Sequence, residues 1–200
     1  MRRSRLVLAS ASATRARLLS AAVIEFECDP ADVDEAAIKI DLERTGAGAA
    51  DVAHALCAAK AMAVSERHPD AYVIGADQIL EHGGQKFDKA SSLDDARRQL
   101  QALRGRTHSL VCGVCAVHER RLTWRHEATA RLEMRDFSDE FLDAYLIRAE
   151  DACRNSVGAY YVEGLGAQLF ARIDGDHFTI QGLPMLALMD FLRREGLLAS

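Results

Sequence analysis

A chain of 200 residues is long enough for one large domain or two small lobes, and it can bury a core without disulfides or a metal staple. Hydrophobic residues make up 49% and charged residues 28%, with no Pro/Ser tract or low-complexity run, which excludes a disordered chain. The formal net charge of -5 argues against a nucleic-acid polymer as partner, because such binders gather Lys and Arg into an unbalanced patch, whereas a small anion needs only a few local cations.

Arg2, Arg3 and Arg5 precede an apolar run of only residues 6–9, ended by Ser10, which is too short for a signal peptide. No segment approaches the length of a membrane helix, so a cytoplasmic chain with no membrane partner is expected. Residues 6–8, the turn Ser10-Ala11-Ser12 and the stripe Leu18, Leu19, Ala22 predict strand, polar turn and helix. The acidic stretch 29–35 and the small, Gly-rich stretch 45–50 read as loops flanking a short element. Asp51 is expected to cap a helix running to about His68, and residues 72–75 form a buried strand with Asp77 just past its end. Residues 81–89, with Gly83 and Gly84, read as a loop or hairpin tip. Ser92 and Asp95 make a capping box for a helix ending near Gly105.

Two long strands follow, 107–117 and 122–134, joined most simply as a hairpin. Ser138 can cap a helix over 140–149, the Gly-rich segment 158–166 precedes a strand over 168–173, and Pro184 starts a final helix. Helices and strands with both hairpin and crossover spacing define an α/β chain around a mixed sheet, with no internal repeat. Five cysteines in no paired framework suit a reducing compartment. Cys112 and Cys115 form a CxxC, but three residues apart on a strand they point to opposite faces, which favours core packing over a metal clamp.

Chemistry can sit at several places. Ser10, Ser12, Thr14 and Arg15 put hydroxyls, free amides and a guanidinium at a strand-to-helix turn, the outline of a phosphate cradle; a Ser cap followed by an exposed Arg is the plainer reading. It is not a Walker loop, since GxxxxGK[ST] is absent. Lys60 falls in line with Ala53, Cys57 and Val64, where a helix would prefer an apolar residue. It either snorkels to the surface or meets an anion in a cleft. Lys86 and Lys89 could add cations from the later loop. Asp77, at the end of an apolar strand, lies where α/β sheets place catalytic groups, or else shapes a turn. Glu35, after Asp32 and Asp34, offers a second carboxylate that could share a Mg²⁺ with it, or belongs to a solvated loop. Asp174 and Asp176 around Gly175 read as turn residues. The seven histidines show no HExxH or other ligand spacing and take surface or packing roles.

These residues also lie within a series of segments that resembles the Maf proteins, a family characterised as nucleoside triphosphate pyrophosphatases. The series comprises Leu8-Ala9-Ser10-Ala11-Ser12 with Arg15, Val33-Asp34-Glu35, Ala59-Lys60-Ala61, Ile74-Gly75-Ala76-Asp77-Gln78 and Gly105-Arg106-Thr107-His108. It continues with Gly158-Ala159-Tyr160, Glu163-Gly164-Leu165-Gly166 and Gly182-Leu183-Pro184, spanning almost the whole chain. The resemblance implies a single domain, 1–200, with an elongated mixed sheet in two lobes around a cleft, similar to the inosine triphosphate pyrophosphatase fold and often a homodimer. It implies that Asp77 prepares the attacking water, that Glu35 and Asp77 hold a divalent cation (Mg²⁺, Mn²⁺ or Co²⁺), and that Ser10, Ser12, Arg15, Lys60 and Lys89 bind a nucleoside triphosphate. Water would attack the α-phosphorus, leaving a nucleoside monophosphate and pyrophosphate.

The chain departs from the family where Ala13 and Thr14 replace the Pro and Arg of SxSPRR, and where Ala90 replaces the Pro after the loop lysine. Lys89 is aligned with that lysine in preference to Lys86 by its distance to the next helix. Three positions tune base choice in the family, here Thr14, Gln78 and Glu163. Gln78 and Glu163 lean to the members acting on 7-methyl-GTP, since a carboxylate can pair with guanine N–H groups or offset the charge of the methylated base; Thr14 matches neither that group nor the dTTP/UTP group. The expectation is therefore a house-cleaning hydrolase of nucleotide metabolism acting on an unusual or modified nucleoside triphosphate. The alternatives are a dTTP/UTP pyrophosphatase and a non-catalytic nucleotide-binding regulator of cell division. No DxDx[TV], Cx5R or HxGH signature supports a phosphatase of another fold.

Overall fold

The computed structural model describes residues 5–199, so Arg2 and Arg3 lie outside it. The strands are β1 (Arg5–Leu8), β2 (Glu27–Cys28), β3 (Ala71–His82), β4 (Gln85–Phe87), β5 (Thr107–His118), β6 (Arg121–Met134) and β7 (Phe170–Asp174). The helices are α1 (Ala13–Ala21), α2 (Glu35–Arg44), α3 (Ala49–Ser65), α4 (Leu93–Leu103), α5 (Asp139–Arg148), α6 (Glu150–Asn155), α7 (His177–Ile180) and α8 (Met185–Arg194), with a 3-10 turn at Leu165–Leu169. The seven strands form one sheet of order β2-β1-β3-β5-β6-β7, with β4 pairing β3 off this path. β1 runs parallel to β2 and β3, while β4 on β3 and β7 on β6 are antiparallel, so the sheet is mixed. Among the described residues, no helix is long and apolar enough to cross a membrane.

The chain divides into two compact units. The first takes the chain up to Gln78, then Cys112–Ala128, then the residues from His177 on; the second takes Ile79–Val111 and Thr129–Asp176. Within the first unit, strand alternation sorts the core into two layers. Val7, Ala9, Val73, Cys115 and Val117 pack with Cys57, Ala61 and Val64 of α3. Leu6, Leu8, Tyr72, Ile74, Ala76, Val114 and Ala116 pack instead with Leu18 and Leu19 of α1 and with Leu188, Phe191 and Leu192 of α8. Each Val, Leu, Ile or Phe among them, fully buried, contributes about 1.5–3 kcal/mol of transfer free energy.

The α3 layer is unusually close. A Cβ on Gly75 would lie 2.0 Å from the Cys57 carbonyl oxygen, and one on Gly113 would lie 2.9 Å from the Ala53 carbonyl. Two strand glycines thus let the helix backbone rest on the sheet. Cys112 and Cys115 are both buried and neither is in a disulfide, in keeping with core packing.

In the second unit, Gly83 and Gly84 take φ of 59° and 83° and close the β3–β4 hairpin with Leu80 opposite Phe87. Ser92 and Ser138 cap α4 and α5 by accepting from the amides of Asp95 and Phe141. His108 is buried, its Nε2 2.7 Å from the Tyr160 hydroxyl, and burial pushes its pKa down to about 4.

Several expected boundaries move. Asp51 is not the cap of α3 but sits inside its first turn, where its carboxylate accepts the Gly48 amide at 3.1 Å; the helix ends at Ser65. Pro184 precedes α8 as its cap rather than opening it. The largest correction concerns β3, expected to stop at Gly75 but running on to His82, so Asp77 stands within a strand. The expectation took the end of the apolar run for the end of the strand. Parallel pairing with β1 does stop at Leu8 with Ile74, but antiparallel pairing with β4 starts at Leu80 and carries the strand on.

Candidate active site

Beyond the last β1–β3 pair, Asp77 shares the sheet face of Val73 and Gly75 and turns towards α3. The close approach at Gly75 brings α3 down, and Lys60, on the stripe of Cys57 and Val64, meets it. The Lys60 ammonium bonds Asp77 Oδ2 and also pairs with Glu35 Oε1 at 2.9 Å. Its side chain is 13% exposed and that of Asp77 12%, while Glu35 is 44% exposed. Lys60 therefore does not snorkel outward; its ammonium points at the two carboxylates. Asp77 Oδ1 accepts the Gln78 amide at 2.7 Å, so both of its oxygens are used as acceptors. Glu35 is the first residue of α2, whose N-cap Asp34 accepts the Ala37 amide at 2.9 Å. The acidic run thus supplies a cap at Asp34 and a partner for Lys60 at Glu35, with Asp32 exposed.

One ammonium between two carboxylates leaves negative charge uncompensated. A position where two hard oxygen donors converge on a cation fits a divalent metal in donor chemistry, with water and phosphate oxygens completing the shell. The two protein carboxylates are all that gather there: among the described residues no group of three His, Cys, Asp or Glu is placed to hold a metal ion.

A second cluster lies on the other face. Ser12 is the N-cap of α1 and accepts the Arg15 amide at 3.3 Å. Ser10 Oγ accepts the Ser12 amide at 3.2 Å and Arg15 Nη1–H at 3.2 Å. Arg15 Nε–H donates to the Gly182 carbonyl at 2.8 Å. The exposed Arg of the plainer reading is thus replaced by a guanidinium aligned by backbone and hydroxyl acceptors at a helix start. Thr14, the second residue of α1, is half-buried. Gln78, one residue after Asp77 and so on the opposite face, donates its side-chain amide to the carbonyls of Thr179 at 2.8 Å and Ile180 at 3.2 Å.

Ser10, Ser12, Thr14, Arg15, Glu35, Lys60, Asp77 and Gln78 all belong to the first unit; Lys89 and Glu163 belong to the second. Lys89 is exposed, with its backbone bridged to Val157, and Glu163 is exposed ahead of the 3-10 turn. Lys86 lies half-buried in β4, and Asp174 ends β7 beside Gly175, whose φ is 142°.

Sequence reasoning passed over three features. Gly75 carried a usable signal, since a glycine within an apolar strand marks close backbone approach. The carbonyls of Thr179, Ile180 and Gly182 carried none, being backbone atoms a hundred or more positions from their partners. The third is Asp29, which accepts two bonds from Arg67 at 2.9 and 2.8 Å and one contact from His68 Nε2 at 2.8 Å. Arg67 first and His68 second hold its carboxyl at about 2, against an ordinary 3.8. This clamp ties the segment leading to Glu35 to the residues just after α3. A separate open hollow of about 470 Å³, lined by Val23, Phe26 and Leu197 among others, includes none of the candidate residues.

Comparison with known proteins bears on this arrangement as a whole. The profile of the family "Maf: Maf-like protein" matches residues 5–195. A protein of Paramagnetospirillum magneticum named nucleoside triphosphate pyrophosphatase is 52% identical over 190 residues, covering 95% of this chain and 98% of that one. Proteins named 7-methyl-GTP pyrophosphatase are 48% identical in Brucella abortus, over 96% of each chain, and 46% identical in Rhizobium meliloti, again over 96% of each. Among solved structures, a lipoprotein of Neisseria meningitidis is similar at a TM-score of 0.30 and 13% identity, covering 74% of this chain and 96% of that one, a likeness that carries no argument. The chain belongs to the Maf family.

Proposed function

We propose that this chain hydrolyses a nucleoside triphosphate, with 7-methyl-GTP as the preferred substrate, to the monophosphate and pyrophosphate by water attack on the α-phosphorus. That it is a nucleoside triphosphate pyrophosphatase, and so a hydrolase, follows from its family and from relatives of about half identity along its whole length. The observation that carries the mechanistic reading is the Glu35–Lys60–Asp77 cluster, in which two carboxylates and one ammonium converge beyond the end of β1.

In this reading Asp77 accepts the proton of the attacking water or orients it, because its carboxylate is held by a backbone amide on one oxygen. Lys60 provides positive charge for the triphosphate, and Glu35 holds the far side of the cation position. Glu35 and Asp77 would hold the divalent cation, which when bound supplies charge neutralisation at the phosphates and a more acidic water. Arg15, fixed by Ser10 and Gly182, meets phosphate oxygens together with the amides at the start of α1. The preference for 7-methyl-GTP is supported by the residue types Gln78 and Glu163 and by the names of the Brucella and Rhizobium relatives. A cytoplasmic location belongs to the same proposal.

A panel of 7-methyl-GTP, GTP, dTTP and UTP with Mg²⁺, Mn²⁺ or Co²⁺ tests it, with pyrophosphate and orthophosphate measured separately. The expected result is pyrophosphate release, fastest from 7-methyl-GTP, and slower by roughly 10³-fold from Asp77→Asn. Faster turnover of dTTP or UTP would replace the base assignment; tight nucleotide binding with no turnover would replace the reaction by the regulator reading.

A further inference from the structure

We propose that Gln78 is a positioning residue for Arg15, acting through the turn 179–182; this rests on the reading of Arg15 as a triphosphate-binding group. The four-residue helix α7 (His177–Ile180) is too short to be stable by itself, and all its carbonyls are helix-end acceptors that need donors from outside the helix. Gln78 spends its side-chain amide on two of them, Thr179 at 2.8 Å and Ile180 at 3.2 Å. The Thr179 carbonyl also receives the Gly182 amide at 3.0 Å. Gly182 in turn offers its own carbonyl to Arg15 Nε–H at 2.8 Å.

The position of the Gly182 carbonyl is narrowly set. Its φ of +89° is one that glycine adopts without strain, and a Cβ there would lie 3.3 Å from Arg15 Nη2 and 3.4 Å from Nε. The backbone therefore comes right up to the guanidinium. Ser10 Oγ fixes the other side of the same group at 3.2 Å. A continuous series of bonds thus runs from the Gln78 amide through Thr179 and Gly182 to Arg15, all within one unit. Loss of the Gln78 donors leaves the Ile180 carbonyl without this partner and the turn held by its own backbone bonds, Gln181 to His177, Gly182 to Thr179 and Leu183 to Phe178; the Gly182 carbonyl then shifts, and Arg15 keeps the Ser10 hydroxyl as its remaining anchor of this pair. Position 78 then governs phosphate affinity whatever base the nucleotide carries.

Inorganic tripolyphosphate, which has no base or sugar, separates this from base reading. Its binding is measured by calorimetry in Mg²⁺ for the full chain, for Gln78→Met and Gln78→Glu, and for each change combined with Arg15→Ala. Gln78→Met keeps length without donors, and Gln78→Glu points a carboxylate at two carbonyls; Gln78→Ser is read in the same way if Met does not fold. The expected outcome is a Kd raised about 5- to 30-fold by Gln78→Met, at least as much by Gln78→Glu, and no further loss when either is added to Arg15→Ala. Wild-type affinity in Gln78→Met overturns the proposal, as does an equal loss in both backgrounds, or a wild-type chain that does not bind tripolyphosphate. Nucleotide turnover followed in parallel judges the proposed reaction separately: its absence counts against that reaction and leaves the tripolyphosphate comparison intact.

Discussion

Asp77 and Gln78 are neighbours in the chain, yet they serve opposite faces of β3. On the α3 face, Asp77, Lys60 and Glu35 place opposite charges in direct contact, set close by a glycine. On the other face, Gln78, the turn 179–182, Arg15 and Ser10 form a neutral framework of backbone carbonyls and a hydroxyl around a single guanidinium. Under the proposed reaction, one strand divides two tasks: handling the nucleophile and cation where carboxylates gather, and holding phosphate where helix amides and a fixed guanidinium gather. Substitution of the α3-face carboxylates should then fail in kcat, and substitution around Arg15 in KM.

The largest effect is expected from Asp77→Asn, which keeps the shape and the Gln78 amide contact but removes the charge. Turnover should fall roughly 10³-fold with KM little changed, measured as pyrophosphate release at saturating nucleotide. A rise in KM alone would move Asp77 to the binding face of the comparison. Lys60→Met should cost about 10- to 100-fold in kcat/KM, the worth of a charge-assisted bond, and mainly through KM. Because Lys60 touches both carboxylates yet is assigned to phosphate, that split sharpens where the boundary between the two tasks runs.

Gly75→Ala attacks the α3 face through packing. Its Cβ would meet the Cys57 carbonyl at 2.0 Å, and the helix must shift, lowering the melting temperature by roughly 5–10 °C. Gly113→Ala, with its nearest approach at 2.9 Å, should lower it less. Equal melting points for both variants would contradict the account of how Lys60 reaches Asp77.

The smallest effect is a dependence on pH. Arg67 and His68 hold Asp29 at about 2 in the folded chain, below its ordinary 3.8, so its contribution is present above pH 4 and is lost as pH falls through 2. Thermal melts should show the wild type ahead of Asp29→Asn at pH 5, with the gap closing between pH 4 and pH 2. A gap that stayed constant over that range would remove the Asp29 clamp from the α3 side.

How much of this was legible beforehand differs between the two faces for a physical reason. Lys60 broke an apolar helical stripe and Asp77 followed an apolar strand, so both stood out against a periodic background. Their meeting depended on the helix approach, of which the strand glycines Gly75 and Gly113 were the local trace. Beyond the nearby Ser10 hydroxyl, the framework around Arg15 was not legible, because its other members are backbone carbonyls near the other end of the chain and any residue supplies a carbonyl. The turn 179–182 was visible only as the Gly182-Leu183-Pro184 segment shared with a known family. The length of β3 was misjudged because hydropathy records burial, whereas pairing with β4 continues past the apolar run. Capping serines at positions 92 and 138 were read correctly because a cap is a local bond between a side chain and an amide three residues on.

Hydrolysis in ¹⁸O-labelled water, with both products analysed by mass spectrometry, tests the central claim most directly. Attack on the α-phosphorus predicts one ¹⁸O in the nucleoside monophosphate and none in the pyrophosphate. Label in the pyrophosphate, or orthophosphate as the first product, would contradict it.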